Sequence, residues 1–96
     1  MNVSTSRLVL HLPQSRSLKD KRQIVKAILQ RARNLGVAAA EVDEQDVWQL
    51  AVLGFASVGG EARQADALVE EVVRMIESGP WEAWITHDER DGWTST

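Results

Sequence analysis

Residues 47–58, "VWQLAVLGFASV", carry no charge over twelve positions, and this run constrains the fold more than any other stretch. It falls well short of the roughly 20 apolar residues that span a bilayer. Gly59-Gly60 breaks it. At period 2, Trp48, Leu50, Val52, Ala56 and Val58 share one face, while Val47, Gln49, Ala51, Leu53 and Phe55 share the other. Both faces are apolar, which suits a central strand flanked by neighbours.

The other elements arrange themselves around it. "RLVLHL" at 7–12 alternates, with Leu8, Leu10 and Leu12 on one face and Arg7, Val9 and His11 on the other, so it reads as a half-buried strand stopped by Pro13. Ser17 with Asp20 three residues later resembles a capping box, which starts a helix near Leu18. Leu18, Val25, Ile28, Leu29, Ala32 and Leu35 form its apolar face, and Gly36 fits the C-cap. "VAAAEV" has room only for a strand, and "DEQD" is a hairpin turn. A second helix over about 61–78 buries Ala65, Leu68, Val69, Val72, Val73 and Ile76, with Glu61 at its positive start and Gly79-Pro80 after its end. "WEAWITH" is the last strand. The order is β-α-β-β-α-β, the ferredoxin-like α+β pattern: a four-stranded antiparallel sheet with two helices on one face. Residues 1–87 form this single domain, and "DERDGWTST", 88–96, is expected to be a mobile acidic tail.

Composition excludes several functions. With no cysteine there is no disulfide, thiolate metal site or Cys nucleophile. The N-terminus lacks the pattern of a signal peptide, so the expected location is the cytoplasm, with no membrane association. No GxxxxGK[ST], GxSxG or GxGxxG occurs. His11 and His87 lack the spacing of metal ligands, and Asp43 and Asp46 fall in an exposed turn. No catalytic residue, metal or small-molecule cofactor is expected, and the chain does not read as an enzyme.

Charge is where the sequence becomes specific. Residues 1–33 carry eight Lys/Arg against one acid, a formal +7, whereas 34–96 carry three against thirteen, a formal −10. Seven of the eleven cations lie in 15–33.

"SRSLKDKR" at 15–22 and "EVDEQDVWQLAVLGFA" at 41–56, followed by an amphipathic helix, resemble the YlxP-like family of small bacterial proteins (domain of unknown function five hundred and three). The resemblance spans about residues 3–87 and leaves out the tail from Asp88. It implies a ferredoxin-like fold. It also implies an RNA or ribosome role, since genes of the family tend to lie beside those for translation initiation and ribosome maturation factors. It supplies no catalytic residues.

On a helical wheel Lys19, Arg22, Lys26 and Arg33 form one stripe, and Lys21 falls near the apolar face with its stem on the core. Cations in a first helical turn oppose the helix dipole by roughly 0.3–1 kcal/mol each. Two anions would offset this. One is external phosphate held by Arg16, Lys19, Lys21, Arg22, Lys26 and Arg33. The other is internal, because Glu41, Asp43, Glu44 and Asp46 return to the same end of the molecule. The internal account leaves Lys26 and Arg33 unexplained.

The open sheet face is expected to show Arg7, His11, Leu53 and Phe55, a surface for a protein partner or a second copy. With Phe55 as its lone aromatic, base stacking of the RNA-recognition type is disfavoured. Trp48 and Trp84 are expected to pack, and Trp93 to be exposed. Two functions compete. One is a non-catalytic RNA- or ribosome-associated protein whose first helix contacts phosphates. The other is a structural or regulatory homodimer joined through the open face.

Overall fold

The computed structural model describes residues 1–95. Its elements are β1 (Asn2–His11), α1 (Leu18–Asn34), β2 (Ala38–Asp43), β3 (Leu50–Gly59), α2 (Ala62–Ser78) and β4 (Trp84–Thr94). The strands form one sheet in the order β2-β3-β1-β4 with antiparallel pairing throughout. Both helices cover the same face. This is the ferredoxin-like arrangement.

Local chemistry sets the helix ends. Ser17 Oγ accepts the Asp20 amide at 3.1 Å, and the Asp20 carboxylate accepts the Arg16 amide at 3.1 Å, so two otherwise unpaired donors of the α1 start are satisfied. At the other end Gly36 takes φ 98°, the left-handed conformation that stops a helix at little cost for glycine. The Glu61 amide donates to the Gln64 side chain where α2 begins.

The core lies between the helices and one sheet face. Leu8, Leu10 and Leu12 of β1 and the following residue are fully buried, as the alternation requires, and pack with Val25, Ile28 and Ala32 of α1 and Val72 and Ile76 of α2. Truncating such a leucine to alanine costs about 2–5 kcal/mol.

Three expectations need correction. Leu53 and Phe55 are not on the open face: they are 0% and 2% exposed and belong to the core. The β1–β3 register places Leu53 opposite Leu8 and Phe55 opposite Ser6, and directly paired residues share a sheet face. Val52, Gly54, Ala56 and Val58 therefore face the side away from the helices, where Val52 is nonetheless covered by its neighbours. Trp48 sits before β3 and is 50% exposed, not core, and Trp84 is also largely exposed, its ring tilted against His11 at 5.9 Å between centroids.

The third correction concerns the tail. Asp88 to Thr94 are the second half of β4, paired with β1 from Leu8 back to Asn2. Side chains pin this half to the domain: Ser6 Oγ donates to Asp88 at 2.7 Å, and Arg90 bridges Asp88 and Glu70 of α2, both at 2.7 Å. Partial burial raises the Asp88 carboxyl, but hydrogen bonds from Arg90 and Ser6, with the Arg90 charge, outweigh it and hold the group below the ordinary range. Of the expected tail, residue 96 lies outside the described residues.

Candidate functional site

The two motifs "SRSLKDKR" and "EVDEQD" meet in space, and Lys21 joins them. At the fourth position of α1 its stem lies over the core, and the residue is 1% exposed. Its ammonium lies 3.0 Å from Glu41 of β2 and donates to the Glu44 carbonyl of the β2–β3 turn. A bulge between Glu41 and Asp43 separates the facing of these acids. Glu41, opposite Leu53, turns toward the helices, whereas Asp43, opposite Val52, turns to the open side. Glu41 Oε2 is buried and receives no hydrogen bond of good geometry, so its compensation is the nearby positive charge. Glu44 adopts φ 53°, and its amide donates to Asp43 Oδ1 at 2.8 Å. Gln49 reaches from the far side of the turn to the Ser15 carbonyl at 3.2 Å. Much of the motif is thus a clamp that locks the α1 start to the turn.

Lys21 is therefore removed from the phosphate-contacting set. A lysine sealed under Glu41 and the turn cannot reach a ligand. Arg33 is exposed but engaged, its guanidinium donating to the Ala39 carbonyl of β2 at 2.7 Å. Arg31 lies over the Trp81 ring, 5.0 Å from its centre. Trp81 in turn donates to the Ile76 carbonyl at 2.8 Å.

Four of the six cations remain: Arg16, Lys19, Arg22 and Lys26. All are exposed. Among the described residues, no carboxylate lies within 4.0 Å of any of them, and their side chains make no hydrogen bond. Of the four acids at this end, Glu41 serves Lys21 and Asp43 serves Arg7 at 3.4 Å, while Glu44 and Asp46 are exposed and, among the described residues, lie within 4.0 Å of no cation of the stripe. Internal pairing accounts for Lys21 and not for the stripe. From Lys19 to Lys26 the stripe runs about 10 Å along the helix axis. Gln23 and Gln30 lie in the same row, and the single acid of α1, Asp20, is turned toward the cap.

Arg7 and His11 are on the open face as expected, joined there by Val9 and, from β3, by Val52, Gly54 and Ala56. Their partners across the sheet in β4 are Glu89 and Trp84. The sequence reading missed Val42, Asp43, Glu89 and Asp91 on this face. The bulge hid the first two, and assigning the last two to a tail hid the others. Among the described residues no helix is long and apolar enough to cross a membrane. No group of three or more His, Asp or Glu residues gathers as metal ligands among them.

Fold and motifs converge on one family. The chain belongs to the family described as "Protein of unknown function (DUF503)", whose pattern matches residues 3–90. A relative in Bacillus subtilis (strain 168), "Uncharacterized protein YlxP", is 37% identical over 65 residues, covering 67% of this chain and 71% of that protein.

Proposed function

We propose that the protein is a non-catalytic RNA-binding protein of the cytoplasm, associated with the ribosome, in which Arg16, Lys19, Arg22 and Lys26 contact phosphates. One observation carries this reading: four exposed cations at the start and along the first turns of α1 have, among the described residues, no carboxylate within 4.0 Å, although acids at the same end are close enough to serve Lys21 and Arg7. Cations spaced three and four apart repel one another and oppose the helix dipole. A row of phosphates reverses both effects. The stripe has no aromatic side chain and no base-reading geometry, so it positions RNA by its backbone and selects shape over sequence. The gene neighbourhood implied by the resemblance points the same way.

Ultraviolet crosslinking in cells tests this directly. Recovered RNA should map to α1, with ribosomal RNA enriched. Recovery of protein alone, with α1 unmodified, would overturn the proposal.

A further inference from the structure

The side of the sheet away from the helices holds a trough of about 680 Å³, within the roughly 300–1,000 Å³ usual for binding sites. Its floor is main chain and small side chains, Ala38 and Ala40 of β2 beside Gly54 and Ala56 of β3. Val42, pushed outward by the β2 bulge, overhangs this floor: a Cβ on Gly54 would stand 2.9 Å from Val42 Cγ1. Of the exposed large apolar side chains, Val42, Val58, Trp84 and Trp93 lie on this face. Such a concentration marks a surface that meets another molecule.

Charge decides what that molecule is. The trough is rimmed by Asp43, Glu89 and Asp91 against Arg7, which already pairs with Asp43, and Arg90, whose guanidinium is taken up by Asp88 and Glu70. Phosphates are repelled here. A second copy of the chain would bring the same acids to the contact. An apolar floor with an acidic rim is complementary to apolar side chains flanked by cations.

We propose that this trough docks an extended segment of a partner protein in which small aliphatic side chains alternate with lysine or arginine. The floor residues repeat at every second position on two adjacent strands, matching the two-residue period of an extended chain. Its aliphatic side chains fill the space above Gly54 and Ala56, and its cations meet Glu89 and Asp91. The inference stands apart from the phosphate reading of α1, which lies on the other side of the sheet. Together they would make the protein a bridge between RNA and a basic protein segment.

The test is a titration of isotope-labelled protein with a short acetylated peptide of alternating lysine and valine, followed by amide chemical shifts. Peptides alternating lysine with serine and glutamate with valine serve as comparisons. Shifts should centre on 38–42, 54–56 and 89–91. Ala40→Gln, which raises the floor at an exposed position, should weaken binding about tenfold or more, and so should the pair Glu89→Lys and Asp91→Lys. The lysine–serine peptide should bind about tenfold more weakly than the lysine–valine one. The proposal is overturned by absence of binding, by equal affinity for lysine–serine or glutamate–valine, by shifts centred on the acids of α2, or by concentration-dependent self-association that covers the trough.

Discussion

α1 and α2 are equal in length at seventeen residues and lie on the same face of the same sheet, yet their charges differ in kind. α2 carries two cations and four acids. Its Glu70 is bridged by Arg90 at 2.7 Å, and Arg63 reaches Glu61 at 3.7 Å. That is a solvated face of mixed sign, whose exposed pairs are worth little. α1 carries six cations and one acid, and of those cations Lys21 alone has a carboxylate within 4.0 Å among the described residues. A helix under selection for stability alone would hold acids near its start and Glu–Lys pairs on its surface. α2 has the mixed signs of an ordinary solvated surface; α1 concentrates cations into a field of one sign, with Lys19, Lys21 and Arg22 set against the dipole near its start.

The sharpest way to break this comparison is inside α1, between its buried and exposed cations. Lys21→Met should cost about 3–5 kcal/mol in denaturant unfolding, because it leaves Glu41 uncompensated. Adding Glu41→Leu should recover most of that loss, since replacing a whole buried pair by apolar groups is often neutral. If Lys21→Met instead left stability unchanged, the clamp between α1 and the β2–β3 turn would be wrong.

The β4 anchor is expected to matter less. Asp88→Asn should lower stability by about 1 kcal/mol at neutral pH, discounted for partial exposure. The sign of its pH dependence follows from the carboxyl being held below 3.8 in the fold. The stability it adds is complete above that ordinary value and disappears as pH falls through the folded one. Wild-type stability should therefore decline more steeply than that of Asp88→Asn across acid titration. Parallel curves would contradict the anchor. Smallest of all, Glu70→Gln should shift stability by about 0.5 kcal/mol or less, measured by thermal melting, since its pair with Arg90 is half open to water.

Much of the fold was legible because its periodicities are clean. Leu8, Leu10 and Leu12 alternate against Arg7, Val9 and His11, and each helix announces its cap. Face assignment in β3 was not legible. Its two faces are almost equally apolar, so Trp48 and Val58 looked like core while Leu53 and Phe55 looked like surface. Only the register with β1, a long-range fact, separates them. The end of β4 was hidden for another reason. "DERDGWT" combines charges with glycine, which strands disfavour, but an edge strand tolerates both and uses charge to discourage further pairing. The basic stripe itself was visible as a helical row. What the sequence could not show was which cations were already spoken for: Lys21 by Glu41 across 20 residues, and Arg33 by a backbone carbonyl.

The central claim is that the free cations of α1 hold phosphates, and a salt titration of Lys19→Glu combined with Arg22→Glu tests it most directly. Wild-type binding to structured RNA should fall with log salt at a slope of about −3 to −4, as four phosphate contacts require. The double variant should bind more weakly with a slope shallower by about 2, while its melting temperature holds or rises, because acids suit the first turns of a helix. A variant with unchanged RNA affinity and slope, or a wild type whose binding ignores salt, would contradict the account.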